Sequence, residues 1–243
     1  MEKGVSTLQE TGGTRLSFFQ KLGLIYSNPR QVFENIRHYP DWILPVLSIL
    51  IFSLINVYLM QDLGIESQKE RIVQSEQIPE EQKEIILERM EQGIGPIQQL
   101  MMYGGTVIFV LGSIFLVAAL YMFSGNFVLG GSVSYQSMLA VYVWGFMVTI
   151  PEIIIKIPLA LAKNSIHVYT SLAVFFDSSQ AQSTLFKSAN AVDIFSIWRL
   201  VLWSIGFGII YNVSTTKSFA IITMWYIIWV FIAIGFSSLV PGM

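Results

Sequence analysis

Cysteine is absent from the chain, which excludes disulfides, thiol nucleophiles and thiolate metal sites. Histidine is nearly absent too: His38 and His167 are the only two, and they stand too far apart for a paired zinc motif. No Gly-x-Ser-x-Gly elbow and no phosphate-binding Gly-rich loop with Lys and Ser/Thr occurs. Gly93-Ile94-Gly95 and Gly206-Phe207-Gly208 both lack the third glycine of a dinucleotide fingerprint. Neither enzymatic activity nor a cofactor is expected.

Charge is scarce as well. Only 12% of the 243 residues are charged, where soluble domains carry about 25%, while 53% are apolar. The 14 Lys and Arg against 16 Asp and Glu form no basic tract, so nucleic acid is not an expected partner. No charge falls in the 60 residues between Glu91 and Glu152, nor in the 26 after Lys217. Stretches of that kind belong in lipid.

A hydrocarbon layer of roughly 30 Å takes about 20 apolar helical residues. Five windows of this kind lie at about 43–60, 100–123, 135–162, 197–211 and 219–240. The fold class is therefore all-α, an integral membrane bundle of five transmembrane helices. The third window holds Pro151 and Pro158 and should kink or tilt. Gly125, Gly130 and Gly131 mark the tight turn before it. The first 40 residues contain no signal-peptide core, so the chain is expected to insert whole. Five spans place the termini on opposite sides, and the basic residues Lys3, Arg15, Lys21, Arg30 and Arg37 favour a cytoplasmic N-terminus.

Residues 1–42 form an N-terminal segment, and 43–243 the membrane domain. Phe18, Phe19, Leu22, Ile25 and Tyr26 recur at helical spacing, and Asn28-Pro29 opens a second helix whose Val32, Phe33 and Ile36 oppose Arg30, Glu34 and Arg37. Two such helices are expected to lie in the headgroup plane, apolar face down. Phe18, Phe19, Phe33, Arg30 and Arg37 then form a surface for lipid or for a partner. The loop 61–96 holds nine acids, Glu76 among them, and four basic residues, and it reads as a helical hairpin outside the bilayer.

Glu152 and Lys156 are four residues apart in an apolar run, in the favourable order for an ion pair. Ionisable groups at membrane depth are costly and default to functional candidates, yet mutual neutralisation is an equally physical reading. Asp193 and Arg199 do not share a helix face, while Arg199 meets Glu152 if spans three and four approach there. This polar cluster is the first candidate site. Gly105, Gly112 and Ala119 in the second span, with Ser204 and Gly208 in the fourth, are candidate helix-packing positions.

The order of segments carries a family resemblance. Asn28-Pro29-Arg30-Gln31-Val32-Phe33-Glu34-Asn35-Ile36, followed by Tyr39-Pro40-Asp41-Trp42, resembles the opening of the Yip family, the Ypt/Rab-interacting five-span membrane proteins, in its bacterial branch. Gly130-Gly131, Ser134-Tyr135-Gln136 and Pro151 are similar to the family's pattern around its third span, as is Asp193-Ile194-Phe195-Ser196-Ile197-Trp198 at the fourth, with Lys217 and Trp225 in the last stretch. The chain lacks the Asp-Leu-Tyr-Gly-Pro element of many members, and its first loop is long and acidic. The resemblance implies no catalytic residues. It implies the bacterial cytoplasmic membrane and an accessory or scaffold role in a membrane complex, beside an ATP-driven exporter as for some bacterial members, or within a homo-oligomer. A channel or transporter for a small solute, ion or lipid is the first alternative, and membrane shaping or traffic the second.

Overall fold

The computed structural model describes residues 14–75, 78–91, 93, 95–177 and 183–239, so residues 1–13, Glu76 and Val240 lie outside it. Two short helices come first, α1 (Phe18–Ser27) and α2 (Pro29–His38). Ser17 closes a capping box on α1 with Gln20, satisfying free amides at the helix start. Pro29 sits in the first turn of α2, where its missing N–H costs nothing, while the Asn28 side chain turns to Gln31 instead of capping.

Then follow α3 (Ile43–Gln74), α4 (Glu80–Glu91), α5 (Pro96–Phe123), α6 (Tyr135–Phe146), α7 (Thr149–Lys163), α8 (Thr184–Ala191), α9 (Ile194–Tyr211) and α10 (Thr215–Leu239). Five stretches are long and apolar enough to cross a membrane: Ile43–Gln74, Pro96–Val128, Tyr135–Lys163, Ile194–Tyr211 and Thr215–Gly235. The third is interrupted at Met147 and Val148, ahead of Pro151. A continuous helix would drive the Pro151 ring into the carbonyl of Met147, so the chain restarts and takes Pro151 into the first turn of α7.

Burial sorts these helices. In the apolar windows of the third and fourth stretches 61% and 56% of residues are buried, against 17%, 17% and 11% in the others, so α6 and α9 are central and α3, α5 and α10 face outward, while α7 buries only Ile153, Ile157 and Ala160. The Trp203 indole on α9 donates to the Tyr142 carbonyl on α6 at 2.9 Å, and the two rings stack at 4.8 Å. This partner matters because a buried indole N–H without an acceptor carries the full cost of desolvation.

The amphipathic segment does not lie apolar face down on lipid. Val32, Phe33 and Ile36 are fully buried, with α2 packed along α9 and against α6. Each such side chain contributes about 1.5 to 3 kcal/mol when removed from water. Tyr26 bonds the Met147 carbonyl at 2.9 Å, and its ring meets Trp198. Lys21 is buried with its ammonium 2.7 Å from Asp41, and burial pulls its pKa below the ordinary lysine value despite that partner. The outward face is polar, with Arg30 and Glu34 paired at 3.1 Å and Arg37 exposed. Phe33 is therefore a core residue and Phe18 packs half-buried against Trp144, which leaves Phe19, Arg30 and Arg37 as the surface.

Close approach is set by Gly206 on α9. A methyl there would lie 2.6 Å from Val141 and 2.8 Å from the Phe33 ring, so only glycine admits α2 and α6 together. A methyl on Gly208 would lie 3.0 Å from the Ser218 hydroxyl of α10, and Ser204 is fully buried. Gly105 and Gly112 face open space among the described residues, and Ala119 is half-buried. The buried stripe of α5 is Ile114, Ala118 and Tyr121. Gly206→Ala is expected to cost about 1 to 3 kcal/mol through overpacking and to lower the unfolding temperature of the purified protein. Gly112→Ala should leave that temperature unchanged or slightly raised.

Candidate functional site

The four ionisable residues of the candidate cluster, three in membrane-spanning stretches and Asp193 just ahead of the fourth, converge on one place. Glu152 lies in the first turn of α7 and Lys156 one turn later, so both project from the same face, with the ammonium 2.7 Å from Glu152 Oε1. Arg199, on the second turn of α9, brings a guanidinium nitrogen to 2.5 Å from the other carboxylate oxygen, Glu152 Oε2. Lys156 also reaches Asp193 Oδ2 at 3.2 Å. The result is an alternating chain, Asp193, Lys156, Glu152, Arg199, with two negative and two positive charges.

Asp193 is held by the start of α9. As its N-cap, Oδ1 accepts from the Phe195 amide at 2.8 Å. The Thr170 hydroxyl donates to Oδ2. Thr170 reaches it because the segments 170–172 and 192–194 pair briefly: Leu172 donates its N–H to the Val192 carbonyl at 3.1 Å, and Ser171 bridges Asp193. Burial alone would push the Asp193 carboxyl up, but Thr170, Lys156 and the Phe195 amide outweigh it and hold the pKa below the ordinary 3.8.

The outer donors are also satisfied. Arg199 extends its second nitrogen to Ser196 at 3.0 Å and its first to Thr149 at 3.4 Å. Its guanidinium lies over the Phe146 ring, and the Lys156 ammonium over Phe195. Side-chain exposure is 16% for Glu152, 16% for Arg199, 29% for Lys156 and 9% for Asp193, so the cluster is partly desolvated and its interactions exceed those of surface pairs.

Two open clefts flank it. One of about 330 Å³ lies between α3, α5 and α7, where Ser53, Asn56, Thr106 and Thr149 face Glu152 and Lys156. The other, about 740 Å³, is bounded by the segment 166–169, α8, α9 and α10. Asn56 is five residues before Gln61, about 7.5 Å along a helix axis, so the cluster sits near one end of the apolar zone. Lys can reach water from such a depth. Among the described residues no group of three His, Asp or Glu is placed to hold a metal.

Pairing of all four charged residues in one network joins what sequence spacing left separate, since Asp193 and Arg199 connect through Lys156 and Glu152 and not with each other. Thr149, Thr170 and Ser196 were not singled out by their sequence positions. Thr170 is 23 residues from Asp193, with α8 between them, and no periodicity marks it.

With every carboxylate partnered twice, the cluster offers no free nucleophile or base, and its geometry is that of a clamp. Glu152→Gln, which leaves Arg199 without its anionic partner, is expected to cost about 2 kcal/mol in thermal unfolding, less than the loss from a fully buried pair because water reaches this one. Thr170→Val should cost about 1 kcal/mol. Because its folded pKa is depressed, Asp193 contributes stability above pH 3.8 that is lost as pH falls through the lower folded value. Unfolding temperature measured against pH should therefore fall in acid, and Asp193→Asn should flatten that fall.

A comparison with known families matches residues 22–237 to the Yip1 domain. No curated protein and no solved structure matches the chain. The matched stretch begins within α1, takes in the α2 packing on α9, the charged cluster and all five membrane-spanning stretches, and ends in α10. By this match over nearly its whole length, the chain belongs to the Yip1 domain family, as a polytopic membrane protein.

Proposed function

We propose that this protein is a non-enzymatic accessory subunit of a membrane complex, with an ATP-driven exporter as the complex it serves and its N-terminus in the cytoplasm. The observation that carries the reading is a built arm outside the apolar zone. Helix α3 continues without a break past Gln61 to Gln74, and α4 folds back onto it. Lys83 is buried at their junction, its ammonium bonded to the Val73 carbonyl at 3.1 Å and to Glu80 at 2.7 Å. A solvent-facing pair of helices bearing eight of the chain's 16 acids supports recognition of a basic partner surface, in which charge guides encounter and orientation.

The transport reading gains from the two clefts but loses from the cluster's internal balance, which leaves no unpaired charge for a solute. Membrane shaping loses its wedge, because the apolar face of α2 is occupied by α6 and α9. Replacing Glu81, Glu84 and Glu88 on the exposed arm with Gln should remove a membrane partner that co-purifies with the wild-type protein in mild detergent, without changing unfolding temperature by more than a few degrees. Undiminished recovery of the partner by the triple variant would contradict the docking role of the arm.

A further inference from the structure

The segment between α7 and α9 is tied to the start of a short span. Ile194–Tyr211 has 18 residues, which rise about 27 Å as a helix, slightly less than the roughly 30 Å of a hydrocarbon layer. A span this short keeps its first residues at the boundary of the apolar zone, and whatever is bonded to them is held at that depth. Two backbone bonds do this: Leu172 donates to the Val192 carbonyl at 3.1 Å, and Ile194 donates to the Thr170 carbonyl at 3.4 Å.

What is held there is apolar and turned outward. Leu172–Phe175 forms one 3-10 turn, in which side chains three residues apart stand in line, so Leu172 and Phe175 share an edge while Ala173 is buried. At 82%, Phe175 is the most exposed large apolar side chain among the described residues. Ser171 and Asp193, opposite each other across the bridge, are buried, whereas Leu172, Val192 and Ile194 beside them are exposed. The exposed face then continues through Ile197 and Val201, three and seven residues beyond Ile194 and so on the same side of α9. The outer edge of the turn is therefore continuous with a stripe inside a membrane-spanning stretch.

The backbone agrees with that setting. Irregular chain in water can leave amides to the solvent, but at the edge of hydrocarbon each must find a partner within the protein. The Leu172 amide is bonded to Val192, Ala173 donates to the Ser171 hydroxyl at 3.3 Å, Val174 to the Ser171 carbonyl at 3.2 Å, and Phe176 to the Ala173 carbonyl at 3.0 Å.

We propose that the Leu172–Phe175 turn is a lipid anchor, lying in the bilayer boundary with Leu172 and Phe175 among the acyl chains and holding Thr170 at the depth of Asp193. The anchor goes beyond the accessory role and depends neither on the acidic arm nor on an exporter.

Because the chain has no cysteine, one introduced Cys carries an environment-sensitive fluorophore at a single chosen place. Phe175→Cys and Leu172→Cys would be labelled in the full chain and reconstituted in phosphatidylcholine vesicles, beside Glu81→Cys on the exposed arm as the reference in water. Labels at 175 and 172 should emit to the blue of the label at 81, lose intensity when the vesicles carry brominated acyl chains, and resist iodide present on both sides of the membrane. Replacing the exposed Phe175 empties no packed space, and Leu172 supplies a second reading of the same edge. Iodide quenching at either position as strong as at 81 would overturn the proposal and place the turn in water. Protection of both labels from both quenchers would also overturn it, since a protein surface such as a second copy would then cover the turn.

Discussion

The contact between Glu152 and Arg199 is the interaction on which the seating of α7 against α9 depends. Helix α7 packs along α3, not along α9, so its link to α9 is carried by side chains. Within lipid there is little hydrophobic drive to bring two apolar helices together, and polar bonds and close packing take over that work. Glu152 bonds Arg199 on α9 with one oxygen and Lys156 on its own helix with the other, and Lys156 passes the link to Asp193. Thr170 then ties the irregular segment after α7 to the same point. Helix, helix and loop meet where four charges cancel.

Helix α9 is the other centre. Gly206 lets Phe33 and Val141 approach from opposite elements, and Trp203 anchors α6 through its indole bond to Tyr142. The α1–α2 hairpin covers the bundle, with Val32, Phe33 and Ile36 of α2 inward and Lys21 of α1 buried on Asp41. Arg30, Glu34 and Arg37 are exposed and line an open cleft beside the end of α9. The far half of α10, by contrast, is largely exposed up to Gly235 and lines the larger cleft beside the cluster.

The five spans were legible in the sequence because length and apolarity are themselves the physical requirement for crossing a bilayer. Glu152 with Lys156 was legible from helical spacing alone. The meeting of Arg199 with Glu152 was geometrically open, since nothing in a linear pattern fixes which helix ends touch. Amphipathicity in α2 was equally plain, but an apolar stripe looks the same whether lipid or protein covers it, so Phe33 read as surface when it is core. The seven-residue stripe of Gly105 and Gly112 carried the same ambiguity and faces open space. Thr170 left no signal, because its role depends on a short backbone pairing between distant, irregular segments.

The central claim is that the charged cluster holds α7 to α9, and a double-mutant cycle tests it most directly. Thermal unfolding would be measured for the wild type, Glu152→Gln, Arg199→Gln and the double variant under one detergent condition. The account predicts strong coupling: the double variant should be no less stable than the weaker single variant, with an interaction energy above about 1 kcal/mol. Strictly additive losses would show that the two side chains act independently and would contradict the clamp.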